Sequence, residues 1–207
     1  MLKVDLKTTR GTYFKAPQDK FVVIDVPRFN FVMVDGRGNP NSSHEYDAAV
    51  GAIYAVSYKL KFMSKAEGRD YVVPPLQGLW WADEMGDFIA RRKDRWRWTM
   101  MLMLPDWTTA FDFEGAVESL RAKQAEIPKT LRFEAFDEGR CVQILHVGSY
   151  DEEAGTIHRL HHDYLPEHHL QENGKHHEIY LSDPRRVAPE KLKTILRQPV
   201  RPLPKTN

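Results

Sequence analysis

The same order of elements recurs in the two halves of this chain, and that repetition limits its fold more than any single motif. In the first half, Phe21 to Val26 and Phe29 to Val34 read as short strands broken by Pro27 and closed by the loop Asp35 to Asn41. Ser42-Ser43-His44-Glu45 then offers a Ser-x-x-Glu helix cap, and Tyr46, Ala49, Val50, Ile53, Val56 and Leu60 follow at helical spacing. Tyr71 to Ala82, interrupted by Pro74-Pro75, and Arg95 to Leu104 read as further strands. In the second half, Leu131 to Phe136 and Cys141 to Val147 read as a hairpin around Glu138-Gly139. A helix from about Glu153 carries Ile157, Leu160, His161, Tyr164 and Leu165 to a kink or stop near Pro166, and the strand His176 to Leu181 follows. Between the halves, Asp112 reads as the cap of a shorter helix that Pro128 ends. Repetition of hairpin, helix and strand predicts a pseudo-two-fold α+β architecture with its cavity between the halves. Residues 1–18 read as a loosely held arm, and the chain beyond Arg197 as an extended, peripheral tail.

Charge narrows the partner. Thirty Lys and Arg stand against 29 Asp and Glu, so there is no bulk field for nucleic acid or an acidic membrane, and a small molecule is expected. The single Cys141 excludes an internal disulfide, and the opening MLKVDLKTT lacks an apolar signal core, which together fit the cytoplasm. The longest apolar run, Thr99 to Leu104, is of strand length, so no membrane span is expected. Against this background, five Trp, eight Tyr and ten Phe are many large rings.

The carboxylate of the strand His176 to Leu181 is the leading candidate for a site. Alternation puts His176, Glu178 and Tyr180 on one face and His177, Ile179 and Leu181 on the other. With the apolar face turned to a core, Glu178 faces solvent or a cavity, where a carboxylate between an imidazole and a phenol is a polar anchor. Trp80 is expected to meet Glu178 there. In the strand Arg95 to Leu104, Trp96, Trp98, Met100, Leu102 and Leu104 share one side, and Arg97, Thr99, Met101 and Met103 the other. Trp80 and Trp98 are candidates to stack on a flat ligand, with Tyr58, Tyr150, Tyr180 and Met101 completing the walls. Such rings around one carboxylate also suit planar cations. Seven of the nine histidines lie between His158 and His177, and His158 and His162 are four apart, yet the order His-Glu-x-x-His is missing, so no metal is expected. Cys141 lies in an alternating strand and reads as buried rather than nucleophilic, and neither a Gly-x-Ser-x-Gly elbow nor a Gly-rich phosphate loop is present. Arg185-Arg186 read as turn and helix-entry residues. No cofactor is implied.

Several stretches resemble the GyrI-like small-molecule-binding family: Pro-Pro-Leu-x-Gly-Leu-Trp-Trp at 74 to 81, Arg-Trp-Arg-Trp-Thr at 95 to 99, Leu-Arg-Phe-Glu at 131 to 134, and Cys-Val-Gln-Ile-Leu-His-Val-Gly-x-Tyr-Asp at 141 to 151. The most specific is the run from His176 to Arg197. The resemblance implies two tandem strand-helix-strand-strand (SHS2-like) modules, about 19–105 and 106–198, around a shared aromatic pocket with a central glutamate. It further implies one of three activities: a stand-alone hydrolase of cyclopropanoid DNA-alkylating toxins, a multidrug-sensing domain, or an inhibitor of DNA gyrase. About twenty residues precede the first strand, too few for a helix-turn-helix, and the Trp-Trp and His-His-Glu motifs look most like the stand-alone, hydrolase-like branch. In that reading Glu178 is the base or water-positioner. Tyr54 or Tyr180 donates to the ligand oxygen, with Tyr54 the better candidate because it lies on a helix facing the sheet. The chain is expected to act as a monomer or homodimer.

Overall fold

In the computed structural model, which describes residues 3–84 and 92–204, the elements follow in chain order. They are β1 (Lys3–Asp5), α1 (Leu6–Thr9), β2 (Val22–Val26), β3 (Phe29–Arg37), α2 (His44–Ala66), β4 (Asp70–Val72), β5 (Gln77–Ala82), β6 (Trp96–Leu104) and α3 (Ala110–Arg121). There follow β7 (Arg132–Phe136), β8 (Gly139–Val147), α4 (Glu153–Arg159), a π-helical turn (Leu160–Tyr164), α5 (Leu165–Glu167), β9 (Leu170–Glu172), β10 (His176–Tyr180) and β11 (Lys193–Pro202). The fold is mixed α+β with few helices, its described strand pairs antiparallel except for the parallel pair β1–β4. Residues 1, 2 and 205–207 of the expected arm and tail lie outside the described residues.

The chain divides into two compact units that interleave in sequence. One holds the chain up to Gly11 together with Phe29–Phe136, and its sheet runs β5-β6-β3-β7. The other holds Thr12–Arg28 and the chain from Asp137, and its sheet runs β10-β11-β8-β2, with β9 also on β11. The two strand orders correspond, and in each the outer strand comes from the other half of the sequence. The expected hairpins are therefore absent. β2 pairs with β8 rather than β3, and β7 pairs with β3 rather than β8. The connections Pro27-Arg28 and Asp137-Glu138 are short enough for hairpin turns, but alternation alone does not choose a partner.

The first unit is built on β6. Every residue from Trp98 to Leu104 is buried, as two apolar faces require of a central strand. One face of its sheet receives α2, whose Ala49, Ala52, Ile53, Val56 and Leu60 are buried. Ile53, Val56 and Leu60 each contribute on the order of 1.5–3 kcal/mol by their burial, and the alanines less. The helix starts one residue later than the Ser-x-x-Glu pattern suggests: Ser43 Oγ accepts from the Tyr46 amide at 3.3 Å. Likewise Thr109, not Asp112, caps α3. Asp112 is the third residue of a reciprocal capping box, and the helix ends at Arg121, well before Pro128.

The arm is held firmly, contrary to expectation. β1 pairs in parallel with β4, Leu6 is buried, and the Arg10 guanidinium bonds Asp106 at 2.5 Å while lying 4.3 Å over Phe29. In the second unit, Phe14 is buried and Leu145 donates its amide to the Pro17 carbonyl at 2.8 Å. The tail is likewise structural. β11 is an interior strand running to Pro202, because Pro199 falls where its neighbour changes from β10, last paired at Arg197, to β9, first paired at Val200. Arg185 forks onto Asp183 at 3.0 Å in a turn, and a 3-10 turn at Pro189–Lys191 leads into β11 rather than a helix. The kink expected near Pro166 is the π-helical turn, in which the Leu165 amide reaches back five residues to Leu160.

Candidate functional site

Strand alternation on β10 places Glu178 and Tyr180 on one face, and the Tyr180 hydroxyl donates to Glu178 Oε2 at 2.7 Å. Their neighbour two residues back, His176, sets Nε2 3.6 Å from Glu178 Oε1. Burial, helped by the charges of His161 and His177, drives the His176 pKa down to about 3, so the imidazole is neutral near pH 7 and the contact is not an ion pair. Tyr150 lies edge-on to Tyr180, ring centres 5.7 Å apart. Burial, with the carboxylates of Glu153, Glu178 and Asp183 adding to it, pushes the Tyr150 phenol up to about 12, so it stays protonated and can donate. Glu178, Tyr180 and Tyr150 are thus gathered in one unit.

The other face of β10 holds a buried network. His177 Nδ1 donates to Glu138 Oε1 at 2.7 Å, and Arg197 Nη1 donates to Glu138 Oε2 at 3.1 Å. Arg197 also donates to Gln143 Oε1 at 3.0 and 3.1 Å and to the Tyr13 carbonyl at 2.7 Å. Gln143 in turn donates to the Lys15 carbonyl at 3.0 Å. Burial alone would raise the Glu138 pKa, but His177 and Arg197 reverse that and hold it at about 2. Burial pushes the His177 imidazole down against the pull of Glu138, leaving it neutral, so the formal charge of Glu138 is matched by Arg197. The sequence reading missed this network. Its visible signal was a lone arginine in the otherwise uncharged run Thr194 to Val200.

Tyr54, Tyr58, Trp80, Trp98 and Met101 belong to the first unit. Trp80 and Trp98 are direct cross-strand partners on β5 and β6. Tyr46, from the start of α2, packs edge-on to Trp98 at 5.2 Å and near Trp80 at 6.2 Å. The Trp98 ring packs against Gly36, where an added Cβ would collide with it. Trp98 is fully buried, and its indole Nε1 has no hydrogen-bond partner among the described residues. Met101 is also fully buried, on the other face of β6 opposite Met33. Tyr54, Tyr58 and Phe62 stack along α2 with successive centres 6.4 Å apart, Tyr58 and Phe62 being 46% and 59% exposed.

The histidine-rich segment spreads its imidazoles: His161 bonds Glu172 at 2.7 Å, and His158 stacks with His162 at 4.3 Å. Among the described residues no group of three or more His, Cys, Asp or Glu is placed to hold a metal ion. Cys141 is buried, and burial beside Glu138 raises its thiol pKa. No helix among the described residues is long and apolar enough to cross a membrane.

A mixed α+β fold with a phenol-bonded carboxylate and a surplus of rings defines a class of small-molecule-binding protein. The model of the GyrI-like small molecule binding domain matches residues 19–201, and the chain belongs to that family. It is similar to an uncharacterized conserved protein from Listeria innocua, at 42% identity and a TM-score of 0.87 over 96% of this chain and all of that one. A hydrolase from the same organism is 41% identical, with a TM-score of 0.82 over the same shares. The C-terminal domain of EcmrR shares the fold at 11% identity and a TM-score of 0.58, over 89% of this chain and 98% of that domain. No curated protein matches.

Proposed function

We propose that the protein is a hydrolase of cyclopropanoid, planar hydrophobic toxins, adding water across the strained ring. The observation that carries the reading is the Glu178 carboxylate, held by the Tyr180 hydroxyl in a family that binds small molecules. A relative 41% identical that is named a hydrolase supports it. Glu178 takes a proton from water as the water oxygen bonds the cyclopropyl carbon. The ring C–C bond breaks, and its electron pair passes through the conjugated system to the distal oxygen, which takes a proton. Because the Tyr180 proton is already committed to Glu178, Tyr54 is the better proposed donor to that oxygen. Tyr150 and Tyr180 are the proposed walls beside Glu178, with Trp80 and Tyr58 as further proposed ring contacts, whereas Trp98 and Met101, fully buried on opposite faces of β6, do not line one wall. The correspondence of the two strand orders supports a duplicated strand-helix-strand-strand module with pseudo-two-fold symmetry. The proposed setting is the cytoplasm.

The test is chromatographic assay of the protein with a cyclopropane-bearing indole alkylator. Wild type is expected to form the ring-opened product, Glu178→Gln to lose about 10²–10⁴-fold in rate, and Tyr54→Phe to lose a smaller factor. Unchanged compound with saturable Trp quenching would leave the second reading, a binder of planar cations, consistent with a family described as small-molecule binding.

A further inference from the structure

His177, Arg197 and Gln143 are consecutive register partners across β10, β11 and β8, so they form one polar rung through three strands. The rung lies on the face of β10 opposite Glu178 and is closed at one end by Glu138, which stands just before β8. Carbonyls of the arm, from Tyr13 and Lys15, close its outer side. All four side chains are buried. Buried ion pairs of this kind are often replaceable by apolar groups without loss of stability, so stability alone does not explain one. What it supplies is uniqueness, since its hydrogen bonds are satisfied in one register only. A one-residue slip of β10 would exchange its faces and put His177 where Glu178 stands.

We propose that Glu138, His177, Arg197 and Gln143 are positioning residues that fix the register of β10, with the arm as their latch, so that Glu178 and Tyr180 share the functional face. The proposal rests on Glu178 being the functional carboxylate, but its test needs no turnover. The backbone amides of Glu178 and Tyr180 and the Glu178 side-chain carboxyl are followed by NMR in the full chain. An apolar rung, Glu138→Leu with His177→Phe and Arg197→Met, is expected to stay folded, with a thermal midpoint within about 4 °C of wild type. In it each Glu178 and Tyr180 signal is expected to split or broaden. His177→Asn, whose side-chain amide can donate from the position of Nδ1, is expected to restore one sharp set. A folded apolar rung that keeps one wild-type set overturns the proposal, as does His177→Asn splitting like the apolar rung. Should the triple variant fail to fold, Phe14→Ala decides. It loosens the arm without touching the rung, and faster amide exchange at Glu178 and Tyr180 supports the latch, whereas unchanged exchange overturns it. A wild type that opens no cyclopropane removes the hydrolase reading and leaves this outcome to be read independently.

Discussion

Glu138 and Glu178 are carboxylates of the same unit, reached from opposite faces of β10, yet their surroundings differ in kind. Glu138 is 2% exposed and fully answered: Arg197 supplies the opposite charge and His177 a second donor. Glu178 is 13% exposed and accepts from the Tyr180 phenol, with the neutral His176 imidazole 3.6 Å away. A buried anion given a cation is fixed in place. One that accepts from a phenol and keeps some contact with water retains its capacity to accept a proton. The difference separates a carboxylate that builds the strand from one that the strand presents.

The sharpest way to break this contrast is to neutralise each in turn. Glu138→Gln leaves Arg197 buried without a counter-charge and is expected to cost about 3–5 kcal/mol in urea unfolding. Glu178→Gln, which keeps the shape of a side chain that is not sealed from water, is expected to cost about 1 kcal/mol or less. Equal losses would show that the two carboxylates do the same structural work.

Much of this contrast was present in the sequence, though not all of it. The two faces of β10 and of β6 follow from a period of two, which depends only on near neighbours, and the helical stripe of α2 follows in the same way. Partner choice does not. Nothing in the alternation of Val22–Val26 distinguishes β8 from β3, and the exchange of outer strands appears only in three dimensions. The rung was hidden for a related reason, because Glu138 is 39 residues from His177 and 59 from Arg197. A glutamate before a glycine reads locally as a turn. Pro199 misled in the opposite direction, since a proline inside a strand is tolerated where the neighbouring strand changes, and that change is invisible along the chain.

Acid titration sharpens the comparison further. His176 and His177 have folded pKa values below the ordinary imidazole range, so the unfolded chain binds protons more readily than the native one as pH falls below about 6.5. Their contribution is whole above that pH and is lost progressively beneath it. Between pH 7.5 and 5, His176 alone is expected to account for about 2 kcal/mol of lost unfolding free energy. Glu138 contributes little in this window, because its depressed pKa of about 2 places its own loss between the unfolded carboxylate value near 4.5 and about 2. His176→Asn should flatten the upper window and leave the lower one in place. Urea unfolding at a series of pH values reads both, and an unchanged slope above pH 5 would mean that His176 is not held neutral.

The smallest effect isolates the hydrogen bond from Tyr180 to Glu178. Tyr180→Phe keeps the ring, its edge-on contact with Tyr150 and its place opposite Thr194, and deletes the hydroxyl that donates to Glu178 Oε2. A hydrogen bond to a charged group is worth about 1.5–3 kcal/mol, but Glu178 is not sealed from water, so the expected destabilisation lies near about 1 kcal/mol. Loss of the donor also leaves the carboxylate freer to rotate. Turnover or ligand binding should therefore respond more strongly than stability, the reverse of the pattern at Glu138. Were Tyr180→Phe to cost as much as Glu138→Gln while binding stayed intact, Glu178 would belong with Glu138 among the groups that build the strand, and the proposed site would lose its centre.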